Sequence, residues 1–437
     1  MSFPRYPKYK PSGVEWLGDV PAHWEVKRLK HNARLLTEKT DRRSNPVALE
    51  NIEGWTGNFV PTETEFQGDG IAFDPGDILF GKLRPYLAKA YLAESSGEAV
   101  GDFHVMRPSA NSFARFIQYQ ILNRDFISLV DGSTYGSKMP RASWEFVGGM
   151  EVTAPPLPEQ RTIADFLDRE TAKIDALVEE QRGLIGLLKE KRQALISHAV
   201  TKGLPGVASA KTGLNPKAKL KDSGIEWLGM VPEGWRIERV KTVSTFTTSG
   251  PRGWSERVGD EGAIFVQSGD LDDAMGVDFS GAKRVLITAD AESLRTKLCN
   301  GDIVVCITGA KTGNVAVCAI VPEDAYVNQH LCLIRPGAMV QPGFLGLVLK
   351  SIVGQTHFTL SQYGLKQGLS LEDVREAPVF VPPLSEQRAI VTFLDAETAK
   401  LDALVAEAEG VIALLQERRS ALISAAVTGG IDVSKSR

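Results

Sequence analysis

Gly81-Lys82-Leu83-Arg84-Pro85-Tyr86 joins two expected strands, and Gly309-Ala310-Lys311-Thr312-Gly313-Asn314 lies at the corresponding place further along the chain. Glycine lets a backbone approach a phosphate closely, Lys and Arg supply charge, and Thr and Asn add hydrogen bonds. A second element, Ser133-x-Tyr135-Gly136-x-Lys138, recurs as Ser361-x-Tyr363-Gly364-x-Lys366, with Arg141 beyond the first copy and Gln367 beside the second. It combines a hydroxyl, an aromatic ring and a cation. Tyr135 and Tyr363 serve either as stackers on bases or as core aromatics. The chemistry these turns suit is contact with nucleic acid. The candidate set is Lys82, Arg84, Tyr86, Tyr135, Lys138, Arg141, Lys311, Thr312, Asn314, Tyr363, Lys366 and Gln367. Lys8 and Lys10, repeated as Lys219 and Lys221, give each region a short basic lead-in.

Other chemistries fit poorly. Residues 76–83 fall one residue short of a phosphate-binding P-loop, because Leu83 stands where a metal-binding Ser or Thr is needed. Cys299, Cys306, Cys318 and Cys332 lack the close pairing of zinc sites and fall in expected strands, so they read as buried thiols. The six histidines form no metal-protease spacing, and no glycine fingerprint for a nucleotide or methyl donor follows a strand. Neither a catalytic constellation nor a metal site is expected. With 437 residues, 43% hydrophobic and 24% charged, the composition is that of a soluble globular protein of two to three domains. No apolar run is long enough for a membrane span, and the N-terminal residues lack a secretory apolar segment, so a cytoplasmic protein is expected. Lys plus Arg number 50 against 54 Asp plus Glu, a net charge of −4. Any nucleic-acid contact therefore rests on local patches rather than on overall charge.

An internal repeat positions these turns. Residues 12–30 match residues 223–241 at 11 of 19 positions, and residues 155–203 match residues 382–430 at 33 of 49. Between these shared ends the sequences diverge, keeping only echoes: Gly76-Asp77-Ile78 with Gly301-Asp302-Ile303, and Arg107-Pro108 with Arg335-Pro336. Two domains of one fold, each with its own middle, account for this pattern.

The second shared segment has an apolar heptad. Leu167, Ile174, Leu188 and Leu195 form one seam with Leu177 and Leu184 beside it, repeated by Leu394, Leu401, Leu415 and Leu422 with Leu404 and Val411. This periodicity predicts long coiled-coil helices. About 42 helical residues span roughly 60 Å. Two like helices related by a pseudo-twofold axis pair antiparallel, and these twelve residues are the expected helix–helix or partner interface. Gly183 and Gly410, at equivalent mid-helix positions, suggest a close backbone approach there. The middles predict short strands at 71–73, 78–80, 103–107, 264–267, 303–308, 314–320 and 330–335, with short helices after Asn111 and Pro342. Trp16, Trp24, Trp227 and Trp235 are expected to anchor the first strand of each body.

Variable body, Pro-Pro-Leu-x-Glu-Gln-Arg motif, heptad helix, then all of it again: this plan resembles the specificity subunit of type I restriction–modification enzymes over essentially the whole chain. Residues 76–90 and 327–336 add to the likeness. The resemblance implies a mixed α/β (α+β) fold in which two target recognition domains are joined by two long antiparallel coiled-coil helices in a pseudo-twofold repeat. The expected boundaries are 1–154 and 223–381 for the recognition domains, 155–203 and 382–437 for the helices with the tail, and 204–222 for the linker. It further implies a non-catalytic DNA-reading subunit for a bipartite, asymmetric double-stranded target. Two methyltransferase subunits would join it, and two ATP-driven translocase–nuclease subunits where the system also restricts. No cofactor is expected on this chain, since S-adenosylmethionine, ATP and Mg would sit on the partners. A modification-only complex and a coiled-coil scaffold without DNA readout are the alternatives.

Overall fold

The computed structural model describes residues 3–41, 44–62, 68–136, 138–204, 219–362 and 368–435. It divides into two compact units, Met1–Arg182 with Ala408–Arg437, and Gly183–Glu407. Each takes part of both long helices, Leu157–Lys202 of 46 residues and Leu384–Val427 of 44.

In the first unit one four-stranded sheet runs Ala33–Leu36, Phe103–Pro108, Ile78–Gly81, Ala90–Leu92, all antiparallel. A second sheet holds Lys39–Thr40, Gly70–Phe73, Gly97–Val100 and Pro46–Val47. The strand Ile78–Gly81 is buried throughout, so a continuous apolar run is what both of its faces require. The second unit repeats the first sheet as Ser244–Ser249, Leu331–Pro336, Asp302–Cys306, Val315–Cys318. Its other sheet holds Val258–Gly259, Lys283–Val285, Ala263–Val266 and Ala325–Val327. The expected strands and the helices Ala114–Ile121 and Pro342–Lys350 are present. The fold is thus mixed α/β.

The sequence echoes turn out to be one ion pair built twice. Asp77, 1% exposed, takes a fork from Arg107 at 2.8 and 2.6 Å and accepts Asp74 N–H. Asp302, also 1% exposed, takes the same fork from Arg335 at 2.9 and 2.7 Å and accepts Cys299 N–H. A buried carboxylate is tolerable only when its lone pairs are taken by charge-assisted donors. The Gly-Asp-Ile turn and the Arg-Pro strand end therefore persist together in each body.

The Pro-Pro-Leu-x-Glu-Gln-Arg motif is a clasp between body and helix. Glu159 accepts Trp24 Nε1–H at 3.0 Å and the Tyr6 hydroxyl at 2.7 Å, and lies 2.9 Å from His23. Burial and this carboxylate push Tyr6 well above the ordinary phenol range. Glu386 takes the matching bond from Trp235. Gln160 accepts Phe113 N–H and donates to Asn111 and Pro155 carbonyls, and Gln387 likewise serves Gln341, Met339 and Pro382. Trp24 and Trp235 are buried, as anchors should be. Trp16 is half-buried against Phe126, but Trp227 is exposed: the second unit has Gly354 at the aligned position, with no side chain to cover it.

Within the first unit the helices pack with Ile163, Ala164 and Leu167 against Ile423, Ala426 and Val427, and Asp175 meets Arg419 at 2.9 Å. Within the second, Ile196 and Ala199 share a core with Ile390 and Leu394, and Arg192 meets Asp402 at 3.1 Å. In each case one helix advances as the other retreats, so the pairing is antiparallel. The tail returns to the first unit, where Asp432 N–H donates to Pro4 and the Tyr9 hydroxyl to Gly429.

Candidate nucleic-acid interface

In the first unit the two candidate turns form one face, although about fifty residues separate them in sequence. Arg84 N–H donates to Pro140 O at 2.8 Å, Ala142 N–H to Lys82 O at 3.0 Å, and Tyr135 and Arg141 exchange backbone bonds at 3.2 and 3.1 Å. Arg84 and Ala88 are left-handed, at φ 51° and 48°, and bracket the single turn Pro85–Leu87. For residues with a side chain this conformation costs on the order of 1–3 kcal/mol each and persists only where neighbours enforce it. Ala88 is wholly buried, and its carbonyl accepts Trp55 N–H at 2.9 Å.

The cations on this face differ. Arg141 forks onto Asp102 at 2.9 and 2.8 Å, and Lys82 lies 3.8 Å from the same carboxylate. The Arg141 bond holds Asp102 below the usual carboxylate range. Arg84 and Lys138 are exposed, with no acidic partner among the described residues. Tyr135 is 63% exposed, which removes the core alternative for it, and Tyr86, Leu87 and Met139 are exposed beside it. Beneath them His104 is buried, its Nε2 3.1 Å from Ala142 O, and burial pushes it below the ordinary imidazole value.

The corresponding turn of the second unit is used differently. The Lys311 ammonium donates to the carbonyls of Gly269 and Leu271 at 3.2 and 3.0 Å. Thr312 closes its own turn onto Gly309 O at 2.6 Å. Asn314 accepts from Lys350 at 2.7 Å and donates weakly to Leu271 and Asp272. These three side chains shape the turn, and what they present outward is the backbone of residues 309–313 with the exposed stem of Lys311. Tyr363, Lys366 and Gln367 lie outside the described residues. Beyond them one bond recurs in both units: Leu369 N–H donates to Ile307 O as Ala142 N–H does to Lys82 O.

On the long helices Leu167, Ile174, Leu188, Leu394 and Leu401 are buried, and Leu195, Leu415 and Leu422 half-buried. Leu177, Leu184, Leu404 and Val411 are exposed. The second buried seam runs one residue on, through Thr171, Val178 and Arg419, while half-buried Gln181 and buried Ala408 fill the first seam after Ile174 and Leu401. Gly183 and Gly410 are not points of close approach, since a Cβ at either meets nothing within 4 Å. Cys306, Cys318 and Cys332 are buried thiols, with Cys318 pushed up to about 12 by burial. Cys299 instead is exposed, in the turn before its strand.

The sequence reading missed the segment 53–58. Glu53–Thr56 and Asn58 of this segment line a cleft of about 850 Å³ in the first unit with Arg124, Asp175, Glu179, Arg182 and Arg419. Trp55 there is left-handed at φ 68°, and its carbonyl accepts Arg419 at 2.8 Å. The signal was Gly54-Trp55-Thr56-Gly57, an aromatic between glycines. A Cβ at Gly54 would come within 2.3 Å of Leu87 O, and one at Gly57 within 2.2 Å of Ala90 O.

Comparison with known proteins places this scaffold. Residues 260–409 match the family model described as type I restriction modification DNA specificity domain. The type I restriction enzyme EcoBI specificity subunit of Escherichia coli is 24% identical over 381 residues, covering 84% of this chain and 77% of that protein. The EcoKI specificity subunit of Escherichia coli strain K12 is 21% identical over 345 residues, covering 74% and 67%. A solved structure described as the basis of complex assembly and conformational transition of the type I R-M system shares the fold. Its TM-score is 0.63 at 20% identity, covering 93% of this chain and 98% of that one. The family model falls almost entirely on the second unit, while the alignments are too long to be confined to either unit; along most of its length this chain is similar to the specificity subunits of type I restriction–modification systems.

Proposed function

We propose that this chain reads a bipartite, asymmetric double-stranded DNA target for a type I complex, without catalysing a reaction itself. The recognition bodies are residues 1–154 and 223–381. The helical segments 155–203 and 382–437 space them, and 204–222 is the linker. The observation that carries the reading is the contrast inside the repeat. The Asp–Arg clamp, the Trp–Glu clasp and the helix seam are duplicated, whereas the turns they hold out differ in charge and shape. One frame holding two unlike faces suits two unlike half-sites.

Arg84, Lys138 and the first unit's aromatics contact one half-site. The turn 309–314, with the segment holding Tyr363, Lys366 and Gln367, contacts the other. Cations position the subunit on phosphates while turn residues meet base edges. Leu177, Leu184, Leu404 and Val411 are equivalent exposed positions on the two helices. They offer one apolar surface twice and so dock two copies of one methyltransferase subunit, in the cytoplasm. Translocase–nuclease subunits join where the system restricts.

Mapping methylated adenines genome-wide, with the chain present and deleted, tests this reading. One asymmetric, gapped motif should vanish on deletion, and replacing residues 223–381 by an unrelated body should change one half of the motif only. An unchanged map in cells that express the methyltransferase subunit would overturn it.

A further inference from the structure

We infer that Tyr86 and Leu87 form a rigid wedge that pries into the base stack of the half-site contacted by the first unit, so that this half is recognised partly through the ease with which it kinks. The inference rests on the DNA-reading function proposed above. It comes from four features of one turn. Tyr86 and Leu87 are large, apolar and exposed, with Met139 and Tyr135 exposed on the neighbouring turn. They cannot fold away: Pro85 is buried, Arg84 and Ala88 hold left-handed backbone on either side, and Leu87 N–H and Ala88 N–H bond back to Arg84 and Pro85 at 3.0 and 2.8 Å.

The turn is also braced from below. Trp55 N–H holds Ala88 O, and Gly54 lies so close to Leu87 O that only glycine fits there. Finally, the same face carries the exposed cations Arg84 and Lys138, which have no acidic partner among the described residues. Apolar side chains thrust between base steps with Arg or Lys alongside are the chemistry by which proteins unstack and kink a duplex. Arg84 and Lys138 add attraction to a phosphate backbone at this face. The corresponding turn of the second unit, Gly309–Asn314, exposes no large apolar side chain. The wedge therefore belongs to one half-site only, and sequence preference there should follow base-step deformability as well as direct contacts.

The test uses the assembled complex with its methyltransferase partner and a duplex bearing the selected target. 2-Aminopurine is placed at successive steps outside the methylated adenine, and end-labelled duplexes report bending by energy transfer. In the wild type, emission should rise severalfold at one step of the first unit's half-site, with a bend. Tyr86→Ser with Leu87→Ser should abolish both signals and weaken binding, while Tyr86→Phe with Leu87→Met keeps them. A mismatch that already unstacks that step should restore affinity to the serine variant. If the serine variant still brightens and bends the duplex, or the wild type binds its target selectively without either signal, the wedge is refuted. A folded serine variant that no longer assembles with the methyltransferase would make the turn a protein-docking surface and refute it also. A wild-type complex with no sequence selectivity would instead refute the recognition function itself.

Discussion

The candidate cations look alike in sequence, but the structure separates them, and the salt dependence of DNA binding should reveal the difference. Each phosphate neutralised by a protein cation contributes about −0.9 to the slope of log affinity against log salt. Arg84 and Lys138 have no acidic partner among the described residues, so both are available for phosphates. Arg84→Ala with Lys138→Ala should therefore flatten the slope by roughly 1.8, from two phosphates at about 0.9 each. Between 50 and 200 mM salt, a fourfold range, the ratio of wild-type to variant affinity should then shrink by about tenfold. Lys311 is the control: its ammonium already donates to the carbonyls of Gly269 and Leu271. Lys311→Ala should move the slope by less than half of one phosphate's share, about 0.4. Fluorescence anisotropy of the assembled complex on its selected duplex, repeated across the salt series, supplies the slopes. If Lys311→Ala flattens the slope as much as Arg84→Ala does, the distinction between free and tied cations is refuted.

Other outcomes follow from the scaffold. Arg335→Ala leaves the buried Asp302 carboxylate without its fork, a loss of about 3–5 kcal/mol. For a unit of this size that lowers the melting temperature by roughly 2–4 °C per kcal/mol. Calorimetry should show this fall, and Arg335→Met with Asp302→Leu should recover most of it. Glu159→Gln removes a charged acceptor from Trp24 and Tyr6 and should cost about 1.5–3 kcal/mol, read by tryptophan emission during denaturation. His104 is held below its unfolded value by burial, with Lys82 adding repulsion and Glu145 opposing it. The unfolded chain thus binds the proton more readily. Stability is full above about pH 6.5 and declines as pH falls through that value toward the lower folded one. His104→Leu should flatten this decline in urea titrations between pH 5 and 7, and an unaltered slope would show that His104 is not its source.

How far the sequence could be read depended on whether the partners lay close along the chain. The long helices announced themselves through a local heptad, and the strands through short β-branched runs. The seam was misplaced because Thr171, Gln181 and Arg419 occupy inward positions that an apolar pattern skips, while Leu177 and Leu184 attract attention on the wrong face. Asp77 with Arg107 and Asp302 with Arg335 were visible only as isolated echoes, since about thirty residues separate the members of each pair. Lys311 looked free because the carbonyls that hold it belong to a turn about forty residues earlier. The joining of the turns 81–86 and 133–141 into one face was equally invisible, since Gly-Lys-Leu-Arg carries no mark of the turn at Pro140 that receives it.

The interhelical ion pairs explain why the helices resemble each other so much more than the bodies do. Asp175 with Arg419 and Asp402 with Arg192 are one pair made twice: the positions in each helix correspond through the repeat. Both arginines are largely removed from solvent, and a charge so placed is costly once its partner is lost. A substitution at either position in one helix breaks a pair whose other member lies in the second helix, so the two must change together. Apolar contacts such as Ile163 and Ala164 with Ile423 and Ala426 tie the two helices in the same way. Turns such as 81–86 and 309–314 have no such reciprocal obligation, because each is braced only from within its own unit. The Asp–Arg clamps and Trp–Glu clasps supply that bracing without touching the tips, which leaves the side chains there at liberty to diverge. A frame whose two copies constrain one another, holding out tips that do not, is what allows one chain to present two different faces from a single duplicated design.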